Sequence, residues 1–234
     1  DIVSEMKDAS SLDVGEPDFE TPWHICEEGI YSLERGHTHY TSNSGLAELK
    51  REVTLYLKRH YGIEYNPKKE VFITVGGSEA IDLALRVMLC PKEEVIIPQP
   101  SYVSYEPCTI LTGGKPVIVN LMAENEFKLT PEELLDAITE RTKLLVLPFP
   151  NNPTGSLMST EILEDIVKIA RSVDAYVLCD EVYRHLTHED GWCESIADLY
   201  EKGISVGSMS KVFSLAGLRL GWIATHDQAA MRQF

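Results

Sequence analysis

Seven short apolar runs recur along the chain, at 71–75 (VFITV), 94–98 (EVIIP), 116–120 (PVIVN), 142–149 (TKLLVLPF), 175–180 (AYVLCD), 204–208 (ISVGS) and 219–225 (RLGWIAT). Their apolar positions run on without polar alternation, the pattern of strands buried on both faces. Between several of them the period changes to that of a helix, as in 78–89 (SEAIDLALRVML), 131–138 (PEELLDAI) and 160–173 (TEILEDIVKIARSV). Strands and helices in alternation predict an α/β fold of three layers. A mainly parallel, seven-stranded sheet is covered by helices on both faces. Thr130-Pro131-Glu132-Glu133 reads as a capping box with proline at the first helical position. A further helical pattern covers 46–62, with Ser44 as its predicted cap. Residues 1–45 differ, because GEPDFETP and HTHYTSNSG are loop-like and flank a single helix. The chain therefore divides into an N-terminal segment, 1–45, and a main unit, 46–234.

In open parallel sheets, ligands sit beyond the carboxyl ends of the strands, so the residues just after each run carry the information. Run 71–75 leads into Gly76-Gly77-Ser78 and a helix, and run 94–98 into Gln99-Pro100-Ser101-Tyr102. Run 142–149 leads into Pro150-Asn151-Asn152-Pro153-Thr154-Gly155. Run 175–180 ends in Asp180 with Tyr183 close behind, and run 204–208 in Ser208-Met209-Ser210-Lys211. The Gly-Gly-Ser turn exposes N–H groups to an anion at a helix start, or serves only to turn the chain tightly. A carboxylate closing an apolar strand is costly unless paired. Asp180 can cap the next helix, or it can hold a proton on a ring nitrogen. Tyr102 can stack on a ring or simply pack, and Asn152 and Tyr183 can donate to a ring oxygen or serve turn and core. Lys211 stands among Ser208, Met209, Ser210, Val212, Phe213 and Ser214, the company of a cleft lysine or of a polar loop.

Composition narrows the classes. The 234 residues can bury a large core, and 44% apolar with 25% charged residues is ordinary for a globular protein. A formal charge of −16 argues against a nucleic-acid partner, whose phosphates need a basic stripe. No apolar run approaches the ~20 residues of a membrane span. Five scattered cysteines (Cys26, Cys90, Cys108, Cys179, Cys193) without a C-x-x-C pair fit reduced thiols and a cytoplasmic location. Neither G-x-x-x-x-G-K-[ST], nor G-x-G-x-x-G after a strand, nor G-x-S-x-G occurs. His37-x-His39 and His185-x-x-His188 have no acidic or cysteine partner at fixed spacing, so no metal site is expected.

From about Asp13 to Trp222 these motifs follow one order: GEPDF–TP, the Tyr40 segment, GGSEA, PSY, NNPTG, D-x-x-Y, and S-x-S-K with arginine eight residues on. In that order the chain resembles fold-type I aminotransferases of the class I/II, aspartate/aromatic group, which use pyridoxal 5′-phosphate (PLP). The resemblance implies that Lys211 forms the Schiff base with the cofactor and that Arg219 clamps its phosphate, with Gly77, Ser78 and Ser208 as the remaining phosphate donors and Ser210 as a further cofactor contact. It implies that Asp180 keeps the pyridine nitrogen protonated and that Asn152 and Tyr183 donate to the phenolic oxygen. Tyr102 becomes the stacking ring. Gly15 is implied at the substrate's carboxylate end, beside Tyr102 and Asn152, and Tyr40 at the phosphate of a neighbouring subunit in a homodimer. By the same resemblance 1–45 is a substrate loop and helix belonging to a small domain and dimer interface.

The implied activity is transamination between an amino acid and a 2-oxo acid. Carbon–sulfur lysis, racemisation, cyclopropane-carboxylate synthesis and a catalytically silent PLP-binding module are the alternatives on the same scaffold. Family members continue past the equivalent of Phe234 with the arginine that grips the substrate carboxylate, and no arginine here matches it; Arg86 and Arg184 lie in other motifs. The expectation is a fragment of a longer aminotransferase, with the small domain largely missing and weak cofactor binding on its own.

Overall fold

The computed structural model of the chain describes residues 15–188 and 194–234, so Cys193 and residues 1–14 lie outside the described residues. The strands are β1 (Val71–Val75), β2 (Glu94–Gln99), β3 (Lys115–Asn120), β4 (Thr142–Leu147), β5 (Tyr176–Asp180), β6 (Gly203–Ser208) and β7 (Leu220–Ala224). Each of the seven apolar runs coincides with one of them to within two residues at either end. They form a single sheet in the order β1-β7-β6-β5-β4-β2-β3. Neighbours from β6 through β5, β4, β2 and β3 are parallel, whereas β7 runs antiparallel to both β6 and β1. Parallel neighbours need a long crossover. Strands β6 and β7 are joined by the Lys211 loop, too short for one, so β7 must run back beside β6.

The helices are α1 (Trp23–Glu34), α2 (Ala47–Tyr61), α3 (Gly76–Met88), α4 (Tyr105–Leu111), α5 (Pro131–Ala137), α6 (Thr160–Ser172), α7 (Ile196–Leu199) and α8 (Gln228–Met231). Successive side chains of a strand point to opposite faces, and the sheet has a core on each. On one face Val95, Ile97, Leu144, Val146, Leu178, Ile204 and Val206 pack against Ala80, Ile81, Ala84 and Leu85 of α3 and Tyr105 of α4. On the other, Ile96, Leu145, Leu147, Val177 and Cys179 pack against Leu134 of α5 and Leu163, Ile166 and Val167 of α6. Helix α2 joins through Val53 and Leu57, which pack with Val71, Trp222 and Ala224. Three layers follow from this alternation. No helix among the described residues is long and apolar enough to cross a membrane.

The capping box at α5 is present: Thr130 Oγ1 accepts from Glu133 N at 3.2 Å, and Glu133 Oε2 accepts from Thr130 N at 2.9 Å. Ser44 does not cap α2. Leu46 occupies that position without a side-chain hydrogen bond. The Ser44 hydroxyl instead takes Lys50 Nζ at 3.0 Å, and its carbonyl takes Ile73 N at 3.1 Å, which binds this segment to the edge of β1. Gly45 permits that approach: its φ is +99°, and a Cβ there would fall 2.4 Å from Ile73 Cγ1.

Candidate active site

A cleft of about 480 Å³ opens where the parallel strands end. Lining it are Gly77 and Ser78 from the start of α3, Tyr102 after β2, Asn152 after β4, Asp180 and Tyr183 after β5, and Ser208, Ser210, Lys211 and Arg219 around the β6–β7 loop. Gly15 reaches it from the N-terminal segment. Tyr40 alone of the predicted site residues does not line it, and its side chain is fully exposed.

One end of the cleft is built for an anion. The first N–H groups of a helix have no partner within it, and α3 points its N-terminus here. Ser208 Oγ donates to Ser210 Oγ at 2.7 Å and accepts from Ser210 N at 2.9 Å, which fixes both hydroxyls beside the helix start. Arg219 holds a left-handed backbone (φ 53°) and braces its guanidinium on the Ala216 carbonyl at 2.6 Å. Glycine is required opposite it. Gly76 has φ +79°, and a Cβ there would lie 2.5 Å from Arg219 Nη2. Gly221 lets β7 close on the same turn, since its Cβ would meet Gly76 C at 2.5 Å. Two hydroxyls, helix N–H groups and a guanidinium around one glycine-lined hollow suit a phosphate group.

Asp180 also lines the cleft, at the end of β5. Strand alternation puts it on the α3/α4 side with Leu178, and its two oxygens have different partners. Oδ2 accepts from the Tyr105 hydroxyl at 2.8 Å, and Oδ1 accepts from Val182 N at 3.1 Å. The described residues that follow are turns, so the carboxylate closes a turn and does not cap a helix. Burial pushes its carboxyl above the usual carboxylate range, while the Tyr105 and Val182 donors pull the other way. Tyr183 is half-buried, and burial followed by the neighbouring Asp180 and Tyr102 pushes its phenol up. It therefore stays a hydrogen-bond donor at neutral pH. The Tyr102 hydroxyl lies 3.4 Å from Ser78 Oγ, and its ring meets Tyr105 edge-on at 5.7 Å.

Lys211 is half-exposed in the cleft. Its amine donates to the Gly15 carbonyl and stands 5.8 Å from the centre of the Tyr183 ring. Asn152 is positioned by its neighbour: Asn151 is buried, and its Nδ2 donates to the Pro100 carbonyl at 3.0 Å, tying the loop after β4 to the loop after β2. Arg219 is the arginine lining the cleft. Arg86 pairs with Asp82 at 2.7 Å, and Arg184 is buried with Glu181 at 3.4 Å on the far face of the sheet. Glu181 is the period-two counterpart of Asp180. Its carboxylate takes the hydroxyls of Ser195 and Ser205, each at 2.8 Å, and Ile196 N at 3.2 Å, which anchors the β5 turn from behind.

Sequence reasoning missed Tyr105 and Glu181. Tyr105 follows Tyr102 by three and opens α4, a place where an aromatic residue usually only packs. Glu181 reads as half of an acidic pair until alternation separates the two faces.

A model of the family described as "Aminotransferase class I and II" matches residues 7–234. The chain is 45% identical over 227 residues to an aspartate aminotransferase of Pyrococcus abyssi, covering 96% of this chain and 58% of that protein. It is 41% identical over 230 residues to aromatic-amino-acid aminotransferase 2 of Thermococcus litoralis, covering 97% and 59%. Among solved structures, the aromatic aminotransferase from Pyrococcus horikoshii OT3 superposes with a TM-score of 0.92 at 40% identity, over 99% of this chain and 63% of that one. The chain thus spans somewhat under two thirds of the length of the relatives it matches.

Proposed function

The chain belongs to the class I and II aminotransferases, a PLP-dependent family, and from that premise we propose that its cleft binds PLP and serves amino-group transfer between an amino acid and a 2-oxo acid. The observation that carries the proposal is the convergence of an anion cup, a buried carboxylate, a phenol and a lysine amine from the ends of β1, β5 and β6 on one cleft. When bound, PLP supplies an electron sink for charge left on the substrate's α-carbon. Gly77, Ser78, Ser208, Ser210 and Arg219 hold its phosphate. Asp180 keeps a proton on the ring nitrogen, because a carboxylate held in an apolar wall gains most by sharing a proton with a cation. Asn152 and Tyr183 donate to the ring oxygen, and Tyr102 covers a ring face. The Lys211 amine would hold the cofactor through its nitrogen and, once the substrate's amino group has displaced it, would be the free base that takes a proton from the α-carbon. Gly15 lies at the substrate end with Tyr102 and Asn152, and Tyr40 belongs to the phosphate of a second copy, so the active unit is a homodimer. Segment 1–45 serves that end of the site, and 46–234 holds the cofactor.

The relatives are named for aspartate and for aromatic substrates, so the donor is proposed only as an amino acid. The test is a visible absorption spectrum of the chain with PLP, beside a Lys211→Ala variant. A lysine-dependent band that bleaches with an amino acid and returns with a 2-oxo acid is the expected result. No difference between the two proteins would sink the proposal. Ammonia and an oxo acid released without any acceptor would move the reaction to a lyase.

A further inference from the structure

We infer that Tyr56 is a positioning residue of this site, its ring on α2 holding the Lys211 loop against the turn that carries Tyr183. The inference rests on the PLP reading of the cleft and extends it to a helix of which no residue lines that cleft. Half-buried Tyr56 meets Phe213 of the loop at 5.8 Å between ring centres. It also meets His185, after β5, edge-on at 5.4 Å, and Trp222 of β7 edge-on at 6.2 Å. Phe213 follows Lys211 by two positions, His185 follows Tyr183 by two, and Trp222 follows Arg219 by three. One ring thus touches the three segments that deliver the amine, the phenol and the guanidinium. Aromatic pairs at these separations attract beyond the area they bury. The cluster stands directly behind the cleft, because Val182 and Ser208 line both the cleft and a small hollow beside Tyr56.

The Lys211 loop needs such support. Two backbone bonds across it are long, Ser214 N to the Lys211 carbonyl at 3.3 Å and Leu215 N to the Met209 carbonyl at 3.4 Å. Ser214 and Arg219 hold left-handed backbone, with φ of 51° and 53°, which L-residues adopt at a cost. From the N-terminal segment Thr21 Oγ1 donates to the Ser214 carbonyl at 2.6 Å, on the far side of Phe213 in sequence. The Phe213–Tyr56 contact adds a hold nearer the lysine. Helix α2 is itself fixed: Val53 and Leu57 are buried and pack with Val71 and Trp222. Trp222 in turn lies flat on β6, where a Cβ on Gly207 would fall 2.2 Å from its ring. An amine that must meet a cofactor atom gains most of its advantage from being held in place. Tyr56 therefore acts through the loop and has a rigid base to act from.

The experiment measures the PLP dissociation constant by equilibrium dialysis, with the lysine-dependent absorption band, for the wild-type chain, Tyr56→Leu, Tyr56→Phe and Val53→Ala. Each change is also made in a Lys211→Ala background, and urea denaturation gives the stability of every protein. Tyr56→Leu is expected to weaken PLP binding roughly tenfold, the scale of the ring contacts it removes. Tyr56→Phe keeps the ring and should stay within about twofold of wild type. In the Lys211→Ala background Tyr56→Leu should change nothing, because the group it positions is gone. Val53→Ala removes core volume from the same helix but keeps the Tyr56 ring, so it should lower stability and leave PLP affinity as it was. Tyr56→Leu that binds PLP like wild type overturns the inference and leaves the PLP reading standing. An equal loss in both backgrounds overturns it too, as does a loss of the same size in Val53→Ala or in Tyr56→Phe. Should Tyr56→Leu fail to fold, Phe213→Leu removes the same contact from the loop side and is read in the same way. Wild-type protein without a lysine-dependent band overturns the PLP reading itself, and the inference with it.

Discussion

Gly76 stands with φ +79° between the end of β1 and the first turn of α3, with a guanidinium where its side chain would be. Both facts forbid a larger residue, for separate reasons. An L-residue in left-handed backbone costs about 1–2 kcal/mol, and a Cβ would press on Arg219 Nη2 at 2.5 Å. Gly76→Ala should lower unfolding stability by about that backbone cost and displace Arg219 from the anion cup. Urea denaturation measures the first effect and titration with PLP the second. Loss of stability with unchanged PLP affinity would show that Arg219 does not depend on this contact. Residue types at strand ends were readable in the sequence because open parallel sheets bring those ends together. The Tyr105–Asp180 bond was not, since nothing in a local pattern links positions 75 apart. Nor could spacing reveal that Asp180 and Glu181, adjacent in sequence, serve opposite faces.

At the amino end of the sheet a buried charge ties three strands together. Glu94 opens β2 and accepts from Thr139 Oγ1 at 2.5 Å, Arg141 Nη2 at 2.7 Å and Lys115 Nζ at 3.1 Å. The Thr139 bond first, then Lys115 and Arg141, hold its carboxyl below the usual glutamate range against the opposing effect of burial. A depressed folded-state pKa gives stability that is present above the unfolded value and is lost as pH falls through the folded one. Thr139→Val removes the largest of these influences and brings the two values closer. It should cost about 1–2 kcal/mol at neutral pH and move acid unfolding to higher pH. Circular dichroism followed across pH 2–7 would reveal an unchanged acid midpoint if the bond carried nothing. The strands were legible from their apolar runs to within two residues. Two features of assembly were not: the reversal of β7, set by a loop too short for a crossover, and the edge contact that diverts Ser44 from α2.

On the scale of the whole molecule, the exposed surface carries a question about copies. Tyr40 has its ring in solvent, and no residue of α1 is buried, although Trp23 and Leu33 are 68% and 64% exposed. If the site is completed by a second copy, Tyr40 and Lys211 of one chain serve different clefts. Two variants then become complementary. Tyr40→Ala weakens the phosphate grip in the partner's cleft, and Lys211→Ala removes the amine from its own. In a mixed dimer one cleft carries both lesions and the other carries neither. After dissociation and reassociation of equal amounts, mixed dimers form half of the population, and about a quarter of all clefts are intact. The lysine-dependent absorption band that survives gel filtration should therefore reappear in the mixture at about that fraction of wild type. Neither parent alone should show it. A mixture that merely averages its parents would place Tyr40 outside any shared site and leave each cleft to its own chain. The same gel-filtration run gives the size of the particle, so a monomeric elution with a retained band would exclude the dimer directly.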